Sequence, residues 1–208
     1  MKMYNGILIL MLIFLNYSCE RELTSKGVSK TTTYPVFSIV GGPFYTTLAK
    51  PGTFVDPGIS AAIDSKTYPV TTTGSVTLSV AGLYFMNYTA YSDEKFPTTA
   101  QRIVLITNSA LTQNYSGNYD RSGAASVINL KTQYLGYYHM TSVWSALTSI
   151  EIDFVDLGGG DLLIVPGNSS AAGRYDGTGK VQPNGDIWFT VTLVDQGPLT
   201  SVRKWVKK

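Results

Sequence analysis

Tyr84-Phe85-Met86-Asn87-Tyr88-Thr89-Ala90-Tyr91, with Arg102-Ile103-Val104-Leu105-Ile106 a short way downstream, decides the fold class of this chain. The first run is aromatic and β-prone, and the second is a short apolar run flanked by polar residues, the signature of a strand. Just upstream, Ser75-Val76-Thr77-Leu78-Ser79-Val80 alternates polar and apolar residues and predicts another strand. No window carries a helical pattern. Ala-Leu-rich stretches are missing, whereas Thr, Val, Tyr and Gly abound. Turn signals recur at Gly41-Gly42-Pro43, Lys50-Pro51-Gly52, Asp56-Pro57-Gly58 and Ala81-Gly82, spaced as in a small antiparallel sandwich. The expected class is all-β.

Length and composition set the frame around these strands. The chain has 208 residues, which at about 100 to 200 residues per domain allows two small domains. Apolar residues make up 44% and charged residues 14%, a globular composition able to bury a sizeable core. The formal net charge is only +2, so no electrostatic footprint for nucleic acid is present. Arg203, Lys204, Lys207 and Lys208 read as a solvated chain end.

Lys2, the apolar stretch Ile7 to Leu15 and the polar Asn16-Tyr17-Ser18-Cys19 have the layout of a secretory signal over residues 1–18. The apolar stretch is far short of the roughly 20 residues a membrane-spanning helix needs. Cys19 is the only cysteine, which excludes an intrachain disulfide. Ser18-Cys19 resembles a bacterial lipobox, with a small residue before a cysteine that becomes the acylated N-terminus. The usual leucine three residues before the cysteine is replaced by Asn16. Lipid attachment at Cys19 is the expectation, and a plain secreted protein with a free thiol is the alternative. Residues 19–33 are polar and aperiodic, a tether. Glu20 and Glu22 resemble the acidic export signal of Bacteroidetes lipoproteins, which implies an outer-membrane location facing the exterior.

Gly52-Thr53-Phe54-Val55-Asp56-Pro57-Gly58-Ile59-Ser60-Ala61, Gly74-Ser75-Val76, Ala81-Gly82-Leu83-Tyr84, Tyr88-Thr89-Ala90 and Arg102-Ile103-Val104 follow one another in that order. Together they resemble the bacterial immunoglobulin-like repeat of surface proteins. The resemblance implies an immunoglobulin-like β-sandwich over residues 34–107. Asp-Pro-Gly supplies a fixed φ and a permissive glycine for a tight corner. The loop Ser92-Asp93-Glu94-Lys95-Phe96-Pro97 departs from that family's usual Asp-x-x-Gly-Asn, so no role of that loop carries over.

A second antiparallel β domain is expected over residues 108–208, opened by Gly117-Asn118-Tyr119-Asp120-Arg121. Its strands are expected near 125–130, 135–140, 150–155, 161–165 and 187–194, with a hairpin loop at Asp156-Leu157-Gly158-Gly159-Gly160-Asp161. Tyr119-Asp120-Arg121 and Val202-Arg203-Lys204-Trp205 resemble the C-terminal β domain of accessory lipoproteins found beside SusC/SusD-type nutrient importers. That resemblance implies a transporter and a substrate-binding lipoprotein as partners.

Constellations for covalent chemistry are sparse. His139 is the only histidine, and it reads as a half-buried, hydrogen-bonded strand residue. Gly167-Asn168-Ser169-Ser170-Ala171 lacks the last glycine of a nucleophile elbow, and Gly179-Lys180 lacks the rest of a phosphate loop and reads as a turn. Oxygen-ligand calcium sites could be drawn at Asp153, Asp156 and Asp161, or at Asp93 and Glu94, but neither set has an EF-hand pattern. No catalytic residue, metal or cofactor is assigned. Tyr134, Tyr137, Tyr138 and Trp144 form the aromatic cluster expected to contact a ligand or partner, because such side chains combine a stacking face with a polar handle. Core packing of the same aromatics is the alternative. The expected function is a non-enzymatic accessory subunit of an oligosaccharide or oligopeptide uptake complex. A surface hydrolase and a structural or adhesive protein remain open.

Overall fold

The computed structural model describes residues 32–197 and 199–208. The signal segment 1–18, Cys19, Glu20, Glu22 and nearly all of the 19–33 tether therefore lie outside the described residues. Those described are all-β, with one 3₁₀ turn at Val194–Gln196.

Strands β1 (Val36–Ile39), β2 (Phe44–Leu48), β3 (Ile59–Ile63), β4 (Lys66–Tyr68), β5 (Val70–Thr73), β6 (Gly82–Tyr91) and β7 (Pro97–Thr107) build the first module. They form a three-stranded sheet in the order β1-β3-β4 and a four-stranded sheet in the order β2-β7-β6-β5. β2 runs parallel to β7, and the other pairs are antiparallel. Because side chains alternate along a strand, β6 and β7 each offer two faces. Met86, Tyr88, Val104 and Ile106 enter one core with Leu78, against which Phe37 and Ile59 from the other sheet pack. Ile103 and Leu105 face the opposite way.

The alternation at 75–80 does not make a strand. Residues 74–81 form a loop in which Leu78 is buried and Val76 packs on the core. The carbonyl of Leu78 accepts the Lys50 N–H at 3.0 Å, so its backbone is partnered by a loop. A period of two here reports burial of alternate residues without a ladder.

Strands β8 (Gly117–Arg121), β9 (Ala124–Leu130), β10 (Tyr137–Met140), β11 (Ile152–Gly158), β12 (Asp161–Ser169), β13 (Gly173–Val181), β14 (Ile187–Leu193) and β15 (Leu199–Lys207) form a closed antiparallel barrel. Each strand pairs with its sequence neighbour, and β15 returns to pair with β8. A barrel of about eight strands has an interior that side chains can fill. Here Tyr119, Ile128, Tyr138, Met140, Phe154, Ile164, Phe189 and Trp205 fill it.

Two readings are overturned by this closure. Gly179-Lys180 is strand rather than turn: Gly179 faces inward, where a Cβ would stand 2.7 Å from Phe189 Cδ1, while Lys180 faces out to Asp161 at 2.7 Å. Glycine there makes room for a phenyl ring. The basic end is likewise no solvated tail, because β15 carries Trp205 into the core at 0% exposure and donates its indole N–H to the Val143 carbonyl at 3.3 Å. Lys204 faces outward beside the buried Trp205, and with Arg203 and Lys207 it hides a strand under a charged pattern. The glycine hairpin lies where the sequence places it: Gly158 at the end of β11 and Gly159 and Gly160 before β12 all have positive φ.

Candidate functional site

No strand ladder crosses residue 108, yet the two modules pack together. Phe44, Leu105, Tyr137 and Val155 are buried in a shared cluster, flanked by Ile103, Leu111 and Leu163. Asn108 N–H donates to the Leu157 carbonyl at 2.6 Å. Gly158 has φ +86° and sits so close to Ser109 that a Cβ would meet its backbone oxygen at 2.6 Å. The connecting residues are thus pinned against the β11–β12 turn, and a cleft opens on either side of Ala110.

The first cleft is an aromatic groove of about 500 Å³ along β2, lined by Phe44, Thr46, Leu48, Leu111, Tyr134 and Leu135 among others. Phe44 lies nearly parallel to Tyr134, with centroids 6.3 Å apart, and to Tyr137 at 6.4 Å. Tyr134 is 51% exposed, and its backbone is fixed by Thr132, whose hydroxyl donates to the Tyr134 carbonyl and accepts its N–H. β2 is an edge strand. Pro43 O and Ala49 N–H point to β7, so in an extended strand the N–H and C=O groups of Phe44, Thr46 and Leu48 point away from it. The groove therefore combines an exposed phenol ring, apolar walls and free main-chain groups.

The second cleft is a polar cavity of about 730 Å³ lined by Gln113, Tyr115, Asp156, Lys180, Gln182 and Asn184 among others. Asp156 is 2% exposed and accepts the Gly158 N–H at 2.7 Å. Burial pushes its carboxyl up toward the neutral form despite that bond. Burial, reinforced by the Asp156 charge, also pushes the Tyr115 phenol well above its ordinary range.

Sequence grouped four aromatics that the structure separates. Tyr134 and Tyr137 both reach Phe44, but Tyr137 is buried, with Lys131 Nζ 5.0 Å from its ring centroid. Tyr138 points into the barrel at 0% exposure, stacks on Phe154 and donates to the Gln113 carbonyl at 3.2 Å. Trp144 lies past the far end of β10, where the Arg203 guanidinium stands 3.5 Å from its ring centroid. As placed, Tyr138 touches no solvent, and only Tyr134 presents a largely exposed ring. Phe44 was not singled out, and only its place in the aromatic Phe44-Tyr45 pair before a Thr run hinted at it.

Three of the five acidic residues that could be drawn as calcium ligands are paired with cations. Asp153 holds Lys131 at 2.5 Å and His139 at 3.0 Å, Asp161 holds Lys180, and Asp93 holds Lys66 at 2.6 Å. Among the described residues no group of three His, Cys, Asp or Glu could hold a metal ion. His139 is part-buried and hydrogen-bonded, as read.

No family model and no curated protein matches the chain. Among solved structures, the crystal structure of a lipoprotein from Bacteroides thetaiotaomicron is similar over 84% of this chain and 100% of its own, at 19% identity and a TM-score of 0.38. A likeness that distant transfers neither site nor ligand.

Proposed function

We propose that the chain is a non-enzymatic surface lipoprotein of the outer membrane, anchored by lipid at Cys19. In this reading it is an accessory subunit of a SusC/SusD-type importer of glycans or peptides. The observation that carries it is the aromatic groove at the module junction: Tyr134 beside the open edge of β2 suits an extended polymer, which can stack on a ring and pair with free main-chain groups. The first module serves as an immunoglobulin-like spacer, a reading supported by its two facing sheets and by the parallel pairing of its second strand with its last. The acidic pair Glu20 and Glu22 behind Cys19 supports the exterior location.

Mild detergent extraction of a tagged chain is expected to bring down a large barrel protein and a substrate-binding lipoprotein. Recovery of the chain alone overturns the partnership. Cys19→Ala is expected to move the protein out of the membrane fraction, and an unchanged distribution overturns anchoring at that residue.

One observation favours a second reading, a surface hydrolase: the polar cavity holds a buried carboxyl pushed toward its protonated form, the state a general acid needs. Hydrolysis of glycan or peptide panels that disappears in Asp156→Asn would establish it. An unchanged substrate panel after incubation retains the binding reading.

A further inference from the structure

The barrel end covered by residues 141–151 carries two cations without a counter-charge. Arg121, at the end of β8, donates through Nη1 to the Trp144 carbonyl at 3.0 Å. Arg203, on β15, places its guanidinium 3.5 Å from the centroid of the Trp144 ring. Among the described residues neither arginine has a carboxylate within ion-pair distance, whereas Arg102 and Arg174 both do. Arg203 Nε is buried with no hydrogen-bond partner. Such orphaned buried donors are uncommon, because leaving one unpaired costs about 1 to 3 kcal/mol.

Holding the 141–151 segment in place explains only part of this. Trp205 already donates to Val143, and Arg121 alone reaches the Trp144 carbonyl. A second guanidinium adds repulsion. Burial first, and then the charge of Arg121, draw the Arg203 pKa down. A neutral amide at position 121 would donate to the Trp144 carbonyl as well and would add no second charge beside Arg203. A guanidinium stacked on an indole ring keeps its in-plane donors free, and those donors match the geometry of a carboxylate or a tetrahedral oxyanion.

We infer that Arg121 and Arg203, over the Trp144 ring, form an oxyanion-binding site at the barrel end covered by residues 141–151. It takes a carboxylate, sulfate or phosphate group carried by a ligand. It lies past the end of β10 remote from the Tyr134 groove, and it stands whether or not the chain serves an importer.

The test is a ¹⁵N NMR titration of the protein with sulfate, phosphate or glucuronate, against sodium chloride at matched ionic strength. The resonances followed are the Arg203 Nε–H, protected by burial, and the Trp144 indole N–H. Saturable shifts with at least one oxyanion are expected, and the tightest of the three identifies the group. Affinity is expected to fall at least about tenfold in Arg121→Gln and in Arg203→Lys, the scale of one hydrogen bond to a charged group. Linear drift equal to that with chloride overturns the site, as does unchanged affinity in folded Arg121→Gln. If Arg203→Lys does not fold, Arg121→Gln decides alone.

Discussion

Arg102 and Asp56 meet across the interior of the first module, with Nη2 3.3 Å from Oδ1 and the arginine side chain fully enclosed. The same guanidinium donates to the carbonyls of Val40, Gly42 and Gly58 and, through Nε, to the Tyr88 hydroxyl. Tyr88 in turn donates to Asp56, which also caps the Gly58 N–H at 2.8 Å. One cation thus ties the β1–β2 turn, the Asp-Pro-Gly corner and strand β6 to β7.

Arg102→Met is therefore expected to destabilise the first module by about 3 to 5 kcal/mol, since it strands a carboxylate and three carbonyls. Arg102→Lys recovers little, because an ammonium cannot span the same partners. Urea unfolding checks both, and the double variant with Asp56→Ala should lose less than the sum of the two single losses.

Trp205→Ala is expected to lose about 3 to 5 kcal/mol of barrel stability, as large core truncations do. Deleting residues 199–208 should abolish the cooperative unfolding of the barrel, because β8 and β14 both lose a partner strand. Near-UV circular dichroism on heating reads both outcomes.

Tyr134 and Tyr138 are expected to answer alanine substitution in opposite ways. Tyr134→Ala should leave stability within about 0.5 kcal/mol, as exposed substitutions do, while weakening capture of glycan or peptide probes. Tyr138→Ala opens the core and should cost several kcal/mol, on the order of other aromatic truncations. Calorimetry paired with a binding assay separates the two.

Two aspartates are expected to shape the acid limb with opposite signs. Burial would raise the Asp153 pKa, but the Lys131 and His139 hydrogen bonds override it and hold it below its ordinary 3.8. Its contribution is full above the unfolded value and is lost as pH falls through the folded one. Asp156 is raised by burial, so its stabilisation is present at low pH and is lost as pH rises through the folded value. Asp153→Asn should lower stability at neutral pH and flatten the acid limb. Asp156→Asn should hold or raise neutral-pH stability, since an amide oxygen still accepts the Gly158 N–H. Urea midpoints across about pH 3 to 7 test the pair.

Strands with a clean apolar signal were legible: β6, β7, β9, β11 and β14 all lie where the sequence places them. β13 is hidden in the sequence because Gly173, Gly177 and Gly179 dilute its pattern, and each is glycine for its own neighbour across the fold: the Asp195 side chain, the Thr190 carbonyl and the Phe189 ring. β15 is hidden because its exposed lysines dominate a short window. The Asp56–Arg102 tie was half visible: both ends sit in quoted motifs, but pairing residues 46 positions apart requires the topology. The same holds for the site. Tyr137 and Tyr138 are neighbours in sequence, and strand alternation sends one to the module junction and the other into the barrel core. Phe44, which completes the groove, comes from the other module.

The pairing of β8 with β15 has a kinetic meaning. The first module has all its ladders once residue 107 is available, because the last of them, β2 with β7, lies within residues 44–107. The barrel waits for Val206 to find Asp120, a loop closed over most of the second module. Contacts so distant along the chain make slow folding steps. A chain delivered N-terminus first across a membrane would therefore carry a first module with its ladders formed and its Phe44 and Leu105 face uncovered, while its barrel is still an open meander with two bare edges. The interval before residues 199–207 arrive is when the protein is most vulnerable to proteases and to pairing with another copy.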